Sequence, residues 1–188
     1  VCGSLFTPGP QRGIYRSSNS GDSWDQVLFV SDSTSAIDLV QHPTNPDILF
    51  ASMWERIRGL NYRRSGGPSS GIYKTIDGGE NWTELVNGLP QDEFVGRIGI
   101  DISISNPDVL YAFYDKQMEG DEEYSFYGIY QSVDGGNNWV RTNDEILAEM
   151  NRSFGWYFGQ IRIDPADENI VYALGVELSK TTNGGESW

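Results

Sequence analysis

The chain writes one short turn four times, at Ser17 to Trp24, Thr75 to Trp82, Ser132 to Trp139 and Thr181 to Trp188. Each copy runs Ser/Thr, any residue, Asp/Asn, any residue, Gly, two further residues and Trp, and three of the four copies follow a Gly-Ile-Tyr triplet. Successive copies open 58, 57 and 49 residues apart. A spacing this long and this regular marks a repeated supersecondary unit. Each unit is too small to bury its own apolar face and must stack on the next, as in propellers and solenoids.

A second motif alternates with the turn. Ala36 to Ala51, Arg97 to Ala112 and Gln160 to Ala173 each read as an Ile- and Val-rich run, an Asn-Pro or Asp-Pro turn, and an apolar run closing on Phe-Ala or Tyr-Ala. These are two strands, A and B. The Gly-Ile-Tyr segment supplies strand C, and the residues from the Trp onward supply strand D. Four short antiparallel strands per repeat make a propeller blade. The expected fold is all-β: a partial β-propeller of about three and a half four-stranded antiparallel blades, forming a single segment over 1–188. The blades fall near 1–34 (partial), 35–94, 95–145 and 158–188 (partial). A loop with a short helix is expected over 143–157, where Ile146, Leu147 and Met150 recur at helical spacing behind an Asn143 or Asp144 cap. The chain is expected to open on a strand B and to stop as a strand C ends. Open strand edges invite pairing, so the expectation is either that missing blades belong to a longer chain or that two chains associate through those edges.

With 27 acidic residues against 13 Lys and Arg, the formal charge of −14 excludes nucleic acid as a partner. No stretch is apolar enough to span a bilayer, so no membrane insertion is expected. Cys2 is the only cysteine, which rules out an internal disulfide. His42, the only histidine, falls beside an Asn-Pro turn and reads as structural. No cofactor and no metal are expected.

Every residue type in the repeated turn has a local task. Asp77 can accept backbone N–H groups of its own turn, Gly79 tolerates the positive φ that a reversal requires, and Trp82 can bury a large ring between neighbouring sheets. The first and fourth copies carry Asn19 and Asn183 instead of Asp, which keeps the acceptor oxygen and drops the charge. That exchange argues against catalysis or metal binding there. Asn19, Trp24, Asp77, Trp82, Asp134, Trp139, Asn183 and Trp188 are therefore read as structural.

The four turns resemble the Asp-box, or BNR, repeat. That family includes sialidases, xyloglucan-cleaving glycoside hydrolases, sortilin-type receptor propellers and photosystem-assembly factors. The nearest resemblance is to large secreted bacterial proteins described as glycosyl hydrolases with a sortilin-like region. It is carried also by Ser65 to Tyr73, Gly96-Arg-Ile-Gly99 and Gly155-Trp-Tyr-Phe158. The resemblance implies a propeller, a carbohydrate-directed role, and an extracellular or periplasmic location. Its alternative is a non-catalytic, sortilin-like scaffold that binds a peptide or protein.

In a meander blade the A–B and C–D turns share one face, so the B–C and D–A connections share the other. Two B–C steps are long, 24 positions from Asp47 to Gly71 and 20 from Asp108 to Gly128, against 8 from Asn169 to Glu177. Long loops on a rigid scaffold are where binding resides. The candidate ligand residues are Trp54, Arg56, Arg58, Tyr62, Arg97, Tyr124, Tyr127, Arg152, Trp156 and Tyr157, rings beside charged donors suited to a glycan or a polypeptide. The cluster of Arg56, Arg58, Arg63 and Arg64 favours a carboxylate-bearing partner. Asp38 and Arg97 are expected at the channel mouth. Catalytic candidates are Asp38, Asp115 and Glu119, although no convincing pair of carboxylates stands out and a sialidase-type Arg-Ile-Pro entry is missing.

Overall fold

A computed structural model describes residues 1–117, 126–152 and 154–188. Its elements are almost entirely antiparallel strands. β1 (Ile14–Arg16) pairs with β2 (Asp25–Leu28). β3 (Thr34–Gln41) and β4 (Leu49–Glu55) lead through a small hairpin, β5 (Ile57–Arg58) and β6 (Arg63–Arg64), to β7 (Gly71–Thr75) and β8 (Thr83–Leu85). β9 (Val95–Ile102), β10 (Leu110–Lys116), β11 (Gly128–Ser132) and β12 (Val140–Arg141) follow. A 3-10 turn at Glu145–Leu147 and a one-turn helix, α1 (Gly155–Phe158), precede β13 (Gln160–Asp164), β14 (Asp167–Leu174) and β15 (Leu178–Thr181). The main sheets run β3-β4-β7-β8, β9-β10-β11-β12 and β13-β14-β15, so the chain is a partial β-propeller.

Registers repeat from blade to blade. Leu39 pairs with Ala51, Ile100 with Ala112 and Ile161 with Ala173. The core lies between sheets rather than within one. Ile14, Val27 and Leu28 pack with Ala51, Met53 and Trp82; Phe50 and Ile72 with Ile98, Leu110 and Trp139; Tyr111, Phe113 and Ile129 with Ile161, Val171 and Ala173. Strands such as β10 are buried on both faces, which is why they read as apolar runs without alternation.

Two sets of polar contacts fix the blades. On the turn-bearing face, the N–H of the first turn glycine donates to a carbonyl in or just after the A–B turn of its own blade: Gly78 to Asp47, Gly135 to Asp108 and Gly184 to Asn169, at 2.9, 2.9 and 3.0 Å. Neighbouring blades are then tied by Arg16 and Lys74, which donate to the carbonyls of Gly78 and Gly135, each at 2.7 Å. At the centre, the inner strands lie side by side. Asp38 Oδ2 accepts the Ile100 N–H at 3.4 Å, and Asp101 Oδ2 accepts the Ile163 N–H at 2.8 Å. Each carboxylate caps an inner-edge donor of the next blade.

Four features depart from the sequence reading. Residues 1–13 form no strand; Val1 only exchanges backbone hydrogen bonds with Gly13. Trp24 is 60% exposed where Trp139 is 3% exposed, because each of these rings packs toward the preceding sheet and Trp24 has none among the described residues. Asp144 does not cap the 3-10 turn; its carboxylate accepts from the Ile129 N–H and from Arg141. The segment around Ile146 is a 3-10 turn with Leu147 and Met150 buried and Ile146 exposed.

Candidate functional site

The loop between β4 and β7 and the helix α1 meet over the start of β9. The short hairpin β5–β6 forms because Gly59 allows the Tyr62 ring to lie against the backbone, and the Gly59 N–H donates to the Tyr62 carbonyl at 2.8 Å. It carries Arg58 and Arg63, with Arg56 at its root. The Arg56 guanidinium lies 4.6 Å from the Trp54 ring centre and 5.3 Å from that of Trp156, and Arg63 lies 4.4 Å from Trp156. Trp156 meets Tyr157 edge-on at 5.5 Å, and Arg97 Nη1 donates to the Tyr157 carbonyl at 2.5 Å. Trp54, Arg56, Arg63, Arg97, Trp156 and Tyr157 thus form one cluster, and Arg58 acts on it through its charge.

Not every ring in the cluster is open. Trp54 is 2% exposed and its indole N–H donates to the Ser65 carbonyl at 2.6 Å, so it supports Arg56 and offers no face to a ligand. Trp156 carries two guanidiniums. Tyr157, 60% exposed, is the accessible ring. Burial lowers the Arg56 pKa from its ordinary value, and the like charges of Arg58 and Arg63 lower it further. Burial also lowers that of Arg97, opposed by the carboxylates of Asp38 and Asp115.

The remaining candidates fall elsewhere. Tyr62 is exposed on the hairpin tip, and Arg152 borders a cavity of about 380 Å³ with Glu149 and Glu177. The Tyr127 hydroxyl donates to Asp92 at 2.5 Å, and its ring packs against the core. Asp38 lies 4.0 Å from Arg162 in addition to its contact with Ile100. Asp115 is 1% exposed, with its carboxylate between Gly96 and Gly155: a Cβ at either would fall 2.7 and 1.8 Å from its oxygens. Glu119 and Tyr124 lie outside the described residues. Among the described residues no group of His, Cys, Asp and Glu is placed to hold a metal ion.

Arg12 was not foreseen. It is fully buried, and it donates to the carbonyls of Ser33, Arg56 and Ser4 at 2.6, 2.7 and 2.7 Å, tying the cluster to the first blade. Nothing repeats at its position, so no sequence signal marked it. A separate groove of about 610 Å³ is lined by Val1 and Trp24, by Ile14 and Tyr15 of β1, and by Ala36, Asp38 and Leu39 of β3.

No known protein family matches the chain, and no curated protein does. Solved structures do resemble it. The GH74 xyloglucanase from Xanthomonas campestris superposes with a TM-score of 0.65 at 17% identity, covering 97% of this chain and 26% of that one. An ancestral GH74 enzyme gives 0.61 at 19%, covering 96% and 21%. The GH74 enzyme of Niastella koreensis gives 0.61 at 19%, covering 94% and 26%. The chain therefore spans about a quarter of the length of these structures. At such identities the likeness shows the fold alone.

Proposed function

We propose that this chain is a carbohydrate-directed β-propeller segment whose glycan site is the cluster of Arg56, Arg63, Arg97, Trp156 and Tyr157. The observation that carries this reading is the convergence of three guanidiniums and an exposed Tyr157 ring where two loops and the start of β9 meet. Guanidinium N–H groups suit sugar hydroxyls and carboxylates, and a ring beside them suits the apolar face of a pyranose. The likeness to GH74 enzymes, one of them a xyloglucanase, supports the same class of ligand. The Asp-box resemblance and an extracellular or periplasmic location belong to this reading as well.

Hydrolysis is the second reading, with Asp38, 4.0 Å from Arg162, and the buried Asp115 as its candidate carboxylates. Binding to a panel of xyloglucan and other oligosaccharides, followed by Tyr157→Ala and Arg63→Gln, tests the site. Binding that survives both substitutions removes it. Product release from the same panel separates hydrolysis from binding, and capture of peptides without any glycan would favour the sortilin-like alternative.

A further inference from the structure

The chain is strongly acidic, yet among the described residues three arginines around the β5–β6 hairpin are not neutralised. Arg16 pairs with Glu80, Arg64 with Glu55, Arg141 with Asp144, and Arg162 lies near Asp38. Among the described residues Arg56, Arg58 and Arg63 pair with no carboxylate; Arg56 and Arg63 are stacked on indole rings instead. The buried Nε atoms of Arg56 and Arg97 have no hydrogen-bond partner among the described residues. Rings hold guanidiniums in place but supply no acceptor for their N–H groups. Gathering like charges without a counter-ion raises the free energy of the cluster, and an anion placed among them lowers it.

Resting on the glycan reading above, we infer that the site selects acidic saccharides, with the carboxylate of a uronic acid received by Arg56 and Arg63 and the sugar ring set against Tyr157. A carboxylate has two oxygens spaced to accept parallel N–H bonds from a guanidinium, a geometry that a hydroxyl cannot reproduce. Guanidiniums held against indole rings are already partly ordered, so less side-chain freedom is lost when the anion arrives.

The test uses tetragalacturonate and its fully methyl-esterified form, which keeps the sugar and removes the charge, with binding followed by calorimetry. The acid is expected to bind at least tenfold more tightly, a difference of about 1.4 kcal/mol, and to weaken with added salt. Arg63→Gln, at an exposed position that leaves the fold intact, is expected to erase that preference, and Arg58→Gln to reduce it. Equal affinity for acid and ester, or a preference that survives Arg63→Gln, overturns the inference and leaves the glycan reading standing. So does binding of only neutral oligosaccharides. Hexaglutamate binding in preference to tetragalacturonate overturns it in favour of a polypeptide, and failure to bind any glycan removes both readings.

Discussion

Asn81 donates to both oxygens of the Asp77 carboxylate, from its backbone N–H at 2.9 Å to Oδ1 and from its side-chain amide at 2.8 Å to Oδ2. Asp134 and Asn138 repeat the arrangement at 2.9 and 2.7 Å. Where the acid is replaced by Asn, the partner changes with it. Asn19 and Asn183 accept the Ser23 and Ser187 N–H groups through Oδ1 and donate from Nδ2 to the serine hydroxyls. A second carboxylate oxygen requires a donor, and a side-chain amide requires an acceptor. The pairs Asp/Asn and Asn/Ser are two solutions to one satisfaction problem. Each single change, Asp77→Asn or Asn81→Ser, is therefore expected to destabilise the chain, and Asp77→Asn with Asn81→Ser to recover much of the combined loss. Additive losses in urea unfolding would refute the coupling.

Acid stability follows from the same contacts. The Asn81 side-chain amide, then its backbone N–H and the Thr75 hydroxyl, hold the Asp77 carboxyl down to about 2 from 3.8. Asp134 is lowered by the equivalent Asn138 contacts. A carboxyl whose folded pKa lies below its unfolded one stabilises the fold above the unfolded value, and the contribution is lost as pH falls through the folded one. Asp101 acts oppositely, since burial raises its pKa. Converting both turns to the Asn/Ser form should flatten the loss of melting temperature between about pH 4 and pH 2. An unchanged acid limb would show that other carboxylates govern it.

Much of the fold was legible because its signals are local. The turn residues and the Asn-Pro punctuation act through neighbours in sequence, whereas β4 finds β7 only across the β5–β6 hairpin. Gly96 and Gly155 stood out as motif residues, but their reason is three-dimensional: both leave room for the Asp115 carboxylate. The fates of Trp24, Trp54 and Trp156 could not be read, because burial of a ring depends on the opposing sheet and on which guanidiniums reach it. The contacts of Asp101 with Ile163 and of Arg162 with Asp38 join neighbouring blades, and only the lateral stacking of inner strands creates them. Helix α1 is too short for periodicity to reveal, yet it sets Trp156 and Tyr157.

The contrast between Trp24 and Trp139 is measurable. Trp139 is buried in the cluster between two full sheets, with its indole N–H donating to the Gly136 carbonyl at 3.0 Å. Trp139→Ala is expected to cost about 3–5 kcal/mol. Trp24→Ala at an exposed ring should stay within about 1 kcal/mol. Similar losses at both positions in denaturant unfolding would mean that Trp24 is covered in solution.

The first turn also contains a correctable strain. Ser20 occupies the position held by Gly78, Gly135 and Gly184, and it adopts a φ of 59°. A left-handed conformation costs a non-glycine residue about 1–2 kcal/mol. Glycine removes that cost but gives up about 0.4–1 kcal/mol of unfolded-chain entropy. Ser20→Gly is expected to stabilise the chain by roughly 0.5 kcal/mol as the difference between these effects. A lower denaturation midpoint would contradict this.

Arg12 joins stability to the candidate site. Its guanidinium serves three backbone carbonyls, one of which belongs to Arg56, and it pairs with no carboxylate among the described residues. Arg12→Met keeps most of the volume and removes the cost of burying a charge, yet it leaves the carbonyls of Ser4, Ser33 and Arg56 without their donor. Charge-assisted hydrogen bonds are worth about 1.5–3 kcal/mol each, and these part-buried carbonyls regain only some of that from water. The loss of three therefore outweighs the recovered desolvation, and Arg12→Met is expected to destabilise by more than about 3 kcal/mol. Arg12→Lys, which can reach fewer carbonyls, should fall between. Because the Arg56 carbonyl then loses a donor and its backbone keeps only the N–H bond to the Ser33 carbonyl at 3.0 Å, Arg12→Lys should also weaken glycan binding at a temperature where the variant remains folded. Wild-type affinity in a clearly destabilised Arg12→Lys would show that Arg56 is positioned by its rings and its own N–H bond to Ser33, without Arg12.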